Sequence, residues 1–225
     1  MFILGIDTSG KSGGVTLAEA DAQNFRVLGS DAIAGGTFSA QLVPTVAALL
    51  EKSRLSIRDI GGFAAASGPG SFTGLRVGLS AIKGLAEVLH KPIATVSLLE
   101  GLATASHQNG KVITALDAGR SEVFYGLYEV ETGNATCLNE QLLSANEFVE
   151  QTRKPDIELT LTSDPVLVEK LAAAVQVHLT DRPDSSLIAR IGARKLMAGQ
   201  TVPVEALDAN YLRRSDAEIF FKGNR

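Results

Sequence analysis

Two carboxylates stand where this chain could do chemistry. Asp7 closes the apolar run Phe2-Ile3-Leu4-Gly5-Ile6, and Asp117 closes Val112-Ile113-Thr114-Ala115-Leu116. Each is followed by a turn of small residues, Thr8-Ser9-Gly10 in the first case and Ala118-Gly119-Arg120-Ser121 in the second. Such turns offer N–H and hydroxyl donors to phosphate oxygens, and an Asp beside them can hold Mg²⁺ directly or through water. Asp7, Thr8, Ser9 and Asp117 are therefore a candidate nucleotide site, weak or vestigial. The alternative is that both Asp residues are turn formers bonding their own backbone. The residues alone leave both readings open.

Other reactive patterns fail on context. Gly5-Ile6-Asp7-Thr8-Ser9-Gly10-Lys11-Ser12 fits G-x-x-x-x-G-K-[ST] literally. A phosphate cradle of that kind needs a helix N-terminus after it. Here Gly13-Gly14 and a β-rich segment follow, and an Asp inside the cradle would repel phosphate. His90, His107 and His178 share no i, i+3 or i+4 spacing and adjoin no carboxylate cluster, so no metal site is expected. Ser71 lies in Gly-Ser-Phe-Thr-Gly, which is not the G-x-S-x-G of a nucleophile elbow. A single cysteine, Cys137, rules out an internal disulfide. No catalytic acid–base pair can be named.

Composition narrows the class. With 225 residues, 45% hydrophobic and 20% charged, the chain can bury a sizeable core. A net charge of -4 argues against a protein that grips nucleic acid by itself. Met1–Ile6 meets Asp7 too early for a signal peptide, and no apolar run reaches membrane-spanning length. The cytoplasm is the compartment expected.

The elements that must position Asp7 and Asp117 repeat. From the amino terminus the pattern predicts a hairpin at 2–6 and 15–18, a third strand at 25–32, a helix at 40–52 carrying Pro44, a strand at 63–67, a helix at 74–89 and a strand at 93–96. Beyond a helix near 98–106 the order begins again: strands at 112–116, 123–128 and 135–142, a helix at 145–152, a strand at 157–161 and a helix at 166–175. Each half reads βββαβα with an Asp closing its first strand. Two such halves facing each other describe an α/β chain of the actin-like ATPase (ASKHA, ribonuclease H-like) fold, with the first half at 1–108. The second half, 109–225, is expected to include an amphipathic helix near 186–198 and an irregular tail.

The helix at 74–89 is launched by the densest punctuation in the chain, Ser67-Gly68-Pro69-Gly70-Ser71-Phe72-Thr73-Gly74. Gly68, Pro69 and Gly70 predict a sharp structural turn, and Ser71 or Thr73 an N-cap. Leu75, Leu79, Ile82, Ala86 and Leu89 mark one buried face. Val77, Gly78, Ala81, Leu85 and Val88 occupy much of the rest, so the helix is expected to pack on its own sheet and on a second surface. Its Gly and Ala positions would admit a neighbouring helix closely. Whether the second surface belongs to this chain or to a partner is open at this stage.

Several segments together resemble the TsaB (YeaZ) family: Ile3-Leu4-Gly5-Ile6-Asp7-Thr8-Ser9, Gln41-Leu42-Val43-Pro44, Gly68-Pro69-Gly70-Ser71-Phe72-Thr73-Gly74-Leu75-Arg76-Val77-Gly78, Val96-Ser97-Leu98-Leu99-Glu100-Gly101-Leu102-Ala103, Ala115 to Phe124, and Tyr211-Leu212-Arg213. The resemblance implies the actin-like fold and a non-catalytic part in threonylcarbamoyladenosine (t6A) modification of tRNA. The implied partners are the TsaD-type paralogue, which transfers the threonylcarbamoyl group, and the TsaE-type ATPase. A homodimer is implied when the paralogue is absent, and tRNA is met through the complex rather than directly. The implied partner surface lies on the first two helices, at Leu42, Val77, Gly78, Ala81, Leu85 and Val88. The segment where TsaD carries a metal-binding histidine motif reads Thr37-Phe38-Ser39-Ala40-Gln41-Leu42 here, without histidine. No cofactor is required on this reading, with ATP or ADP and Mg²⁺ placed at a composite subunit interface. The alternatives are a weak actin-like-fold ATPase or kinase and a glycoprotease-like metallopeptidase.

Overall fold

The computed structural model describes residues 1–210 and Leu212, so the Tyr211 and Arg213 of the last matching segment, and the tail beyond, lie outside the described residues. The chain divides into two compact units.

In the first unit β1 (Phe2–Asp7), β2 (Ser12–Ala20) and β3 (Phe25–Ala34) form an antiparallel meander, followed by α1 (Phe38–Lys52), β4 (Ile60–Gly68), α2 (Phe72–Leu89) and β5 (Ile93–Ser97). The sheet order is β3-β2-β1-β4-β5, with β4 parallel to both β1 and β5. β1 and β4 are buried almost throughout because helices pack on them, α2 and a late helix, α6 (Ser185–Met197). Strands covered on both faces have no reason to alternate polar and apolar residues, which is why Phe63-Ala64-Ala65-Ala66 reads as one apolar run.

After α3 (Leu98–Ala105) the second unit repeats the order: β6 (Gly110–Gly119), β7 (Glu122–Glu131), β8 (Asn134–Ser144), α4 (Ala145–Thr152), β9 (Ile157–Thr162), α5 (Pro165–Leu171) and β10 (His178–Leu179). Its sheet runs β8-β7-β6-β9-β10, the same topology as the first. Its core joins Ile113, Tyr125 and Leu167 to Phe148, whose ring meets that of Tyr125 edge-on at 6.3 Å. The two units thus share one element order and one sheet topology, the duplication that the repeat predicts.

Residues 12–20 form a strand, as the sequence reading expects, so the Gly5–Ser12 match has no helix to present to a phosphate. Other expectations are corrected. α1 begins at Phe38, two residues before the expected start, so the exposed Pro44 is its seventh residue, and its missing N–H leaves the Ala40 carbonyl without a helical donor. Ser71, not Thr73, caps α2, its Oγ accepting from the Gly74 N–H at 3.3 Å. The boundary is not a single cut at 108/109: the first unit comprises Met1–Gly101 with Pro183–Ala209, and the second Leu102–Arg182 with Asn210. α6 belongs to the first unit because small residues let it lie flat on that sheet. A Cβ on Gly5 would come 2.6 Å from the Ala189 Cβ, and one on Gly192 would come 2.2 Å from the Ala64 Cβ. Within the tail from Thr201, Val204–Ala206 forms a 3₁₀ turn and Val202 bridges to Ile93.

Candidate functional site

The turn after β1 and the loop before α2 are one packed object. The Thr8 hydroxyl donates to the Gly74 carbonyl at 2.7 Å, and the Ser71 N–H donates to the Ser9 carbonyl at 2.7 Å. Glycines make that approach possible. Added Cβ atoms would stand 2.4 Å from the Ser9 carbonyl oxygen at Gly70, 2.0 Å from the Thr8 carbonyl oxygen at Gly74 and 2.3 Å from the Thr8 hydroxyl at Gly78. Gly74 and Gly78, which the sequence offered to a neighbouring helix, thus receive the β1 turn together with Gly70 of the preceding loop. Gly68, at φ +113°, closes β4 ahead of Pro69, and the bond between them is cis.

That packing decides what the nucleotide candidates can do. Asp7, Thr8 and Ser9 are each at most 2% exposed. The Asp7 Oδ1 accepts from the Ser9 N–H at 2.8 Å and from the Ser9 hydroxyl. In the other unit Asp117 accepts from the Gly119 N–H at 3.1 Å and pairs with the Lys170 ammonium at 2.8 Å. A magnesium nucleotide needs carboxylates and hydroxyls turned toward it, whereas here the Thr8 hydroxyl is engaged by Gly74 of α2, Asp7 by Ser9, and Asp117 by Gly119 and by Lys170 of α5, so the set does not fit a nucleotide site on either unit by itself. Among the described residues no three His, Cys, Asp or Glu side chains come together as metal ligands would.

The accessible feature lies on the opposite side of α2. A groove of about 540 Å³ runs between α1 and α2, walled by Phe38, Val43, Phe72, Val77 and Ala81. Arg76 is its charged member, with the guanidinium 3.8 Å above the Phe72 ring centroid. Of the sequence-derived interface residues, Val77, Ala81 and Leu85 are half-buried and Val88 is 77% exposed. Leu42 and Gly78 are not available in the way expected. Leu42 is 2% exposed and forms the groove floor, while Gly78 is closed by Thr8. Thr73, read as a possible cap, lines the groove instead.

Val43, 67% exposed, and Phe72, 39% exposed, are the surface residues that the sequence reading missed. A signal for Val43 existed. Phe38, Leu42, Val46 and Leu49 set the core stripe of α1 at helical spacing, which leaves Val43 outside it.

A family model described as TsaD, tRNA N6-adenosine threonylcarbamoyltransferase, matches residues 32–181. The tRNA threonylcarbamoyladenosine biosynthesis protein TsaB of Bacillus subtilis is 30% identical over 97% of this chain and 96% of its own. The chain belongs to the TsaB family. TsaB of Escherichia coli is 37% identical over a shorter stretch, 40% of each chain. Among solved structures, a Pseudomonas aeruginosa protein described as similar to peptidase YeaZ superposes with a TM-score of 0.76 at 24% identity, covering 94% of this chain and 99% of that one. That likeness shows a shared fold. No helix among the described residues is long and apolar enough to cross a membrane.

Proposed function

We propose that this chain is a non-catalytic scaffold subunit of a tRNA threonylcarbamoyladenosine modification complex, docking and activating a TsaD-type transferase through α1 and α2. The observation that carries the reading is the apolar α1/α2 groove on a TsaB-family chain whose candidate carboxylates are engaged by its own residues. An exposed apolar strip of this kind costs solubility unless something covers it. In this reading the same face pairs two copies when the paralogue is absent, and a TsaE-type ATPase joins the complex. ATP or ADP with magnesium is met at a composite interface to which other subunits bring the ligands. tRNA is reached through the assembled complex, in the cytoplasm. Among the described residues no cluster of three metal-ligating side chains supports the peptidase description attached to a structural neighbour.

Light scattering after size-exclusion chromatography tests the reading, with the chain alone and mixed with the TsaD-type protein of the same organism. The expected result is a homodimer that exchanges into a one-to-one heterodimer, with t6A formation only in the mixture. A monomer indifferent to the paralogue would overturn it. Val88→Glu and Ala81→Glu are expected to keep the fold, because both positions reach solvent, and to weaken pairing at least about tenfold, because an unpaired charge buried in an apolar contact costs several kcal/mol. Wild-type affinity in both variants would place the interface elsewhere.

A further inference from the structure

Both helices that wall the α1/α2 groove start from loops tied to one turn, residues 8–11 between β1 and β2. Ahead of α1, the Gly35 N–H donates to the Lys11 carbonyl at 2.8 Å. Ahead of α2, the Ser71 N–H donates to the Ser9 carbonyl, and within α2 the Gly74 carbonyl accepts the Thr8 hydroxyl. Packing repeats the pattern. A Cβ on Gly13 would stand 2.2 Å from the Asp7 carbonyl oxygen and 2.9 Å from the ring of Phe38, the first residue of α1. Phe38 lines the groove, and so do Thr73 and Val77, which directly precede the Gly74 and Gly78 that close on Thr8. The turn is braced internally, with the Asp7 carboxylate accepting from the Ser9 N–H and Thr8 only 2% exposed. A stretch that offers itself to phosphate in the sequence is a strut in the fold.

We propose that the β1–β2 turn is the spacer that sets the separation of α1 and α2, and that Thr8 is the positioning residue for the partner surface; this rests on the docking reading given above. Close-packed elements pass a displacement on rather than absorbing it, so a turn wedged against the start of both helices fixes how far apart they stand. A surface already held in its bound shape spends no binding energy on ordering, and its affinity falls when the hold is loosened. Thr8 is the position to vary because its hydroxyl reaches out of the turn and into α2. A side chain of the same shape without the hydroxyl keeps the packing and loses that tie.

Thr8→Val removes the donor and Thr8→Ser keeps it; Thr8→Ala replaces Thr8→Val if circular dichroism shows that the valine variant does not fold. Spin labels on Gln41→Cys in α1 and Lys83→Cys in α2, both exposed and outside the groove lining, read the helix separation without any partner, in a Cys137→Ser chain diluted with unlabelled chain. The distance distribution is expected to shift or broaden in Thr8→Val and to return in Thr8→Ser. Titration with the TsaD-type protein of the same organism is expected to give a Kd about fivefold weaker or more for Thr8→Val, the scale of one hydrogen bond, and a value near wild type for Thr8→Ser. Ile113→Val, a core truncation in the second unit that leaves the turn intact, is expected to lower the thermal midpoint and keep the wild-type Kd. An unchanged distance distribution in Thr8→Val would overturn the spacer whatever binds the groove. So would equal weakening by Ile113→Val, since Thr8 would then act through stability alone. A Kd unmoved by Thr8→Val but weakened by Val88→Glu would leave the docking reading standing and overturn the role of the turn, whereas a Kd unmoved by either would overturn the docking reading and this proposal with it.

Discussion

A methyl group at position 74 would stand 2.0 Å from the Thr8 carbonyl oxygen, whereas at position 84, on the same helix, it would meet nothing within 4 Å. The two glycines look alike in a helix pattern, yet their substitution has opposite signs. Gly74→Ala forces the β1 turn away from α2 and is expected to destabilise the chain by about 1–3 kcal/mol, the usual cost of overpacking. Gly84→Ala relieves the entropy of a helical glycine and is expected to stabilise by about 0.5–1 kcal/mol. Urea unfolding of the two variants checks this. If both shift the midpoint in the same direction, the close approach of Thr8 to α2 is wrong. His90 shows the same residue-level logic. At φ +52° it ends α2 in the left-handed conformation, with its N–H donating to Ala86.

At the scale of elements, α6 is what completes the first sheet. Ile188, Ala189, Ile191, Gly192 and Leu196 are buried, and Asp184 caps the helix by accepting from the Leu187 N–H at 2.8 Å. Lys195 anchors its far end, with an ammonium 2.5 Å from Glu100 and 3.0 Å from the Thr95 carbonyl. A fragment 1–101 lacks this cover and is expected to melt without a cooperative transition. Added in trans, a peptide of residues 183–209 is expected to restore a cooperative melt. A fragment 1–101 that melts cooperatively unaided would show that the sheet does not need α6.

At the scale of the molecule, acid reaches both units, since hydrogen bonds hold the Asp21 and Asp59 carboxyls of the first low as well. In the second unit the Ser144 hydroxyl and N–H, both donating to the Glu147 carboxylate, hold it below its ordinary value of 4.5. Lys111 holds Asp156 below 3.8. Lowered carboxylates contribute stability that is present above their ordinary values and lost as pH falls through the folded ones. Glu147→Gln keeps a cap that cannot titrate. The wild-type thermal midpoint is therefore expected to fall more than that of Glu147→Gln between pH 6 and pH 3. Parallel curves would remove the capping box from the acid response.

Much of this protein was legible from residue order, for a local reason. Strand runs, caps and turn residues act over a few neighbours, so the repeated βββαβα and the Asp that closes β1 could be read directly, whereas β6 runs two residues past Asp117 to Gly119. The doubly apolar character of α2 was legible too, since periodicity counts faces. What periodicity does not say is what covers each face. Gly74 and Gly78 looked like places for a helix and receive the Thr8 turn; Leu42 looked available and is buried; α6 follows the second unit in sequence and packs on the first. Asp7 and Asp117 were ambiguous between ligand and turn former until Ser9 and Lys170 were found on them. Such outcomes depend on contacts between residues far apart in the chain, whose closure no local pattern encodes, and these only the tertiary structure decided.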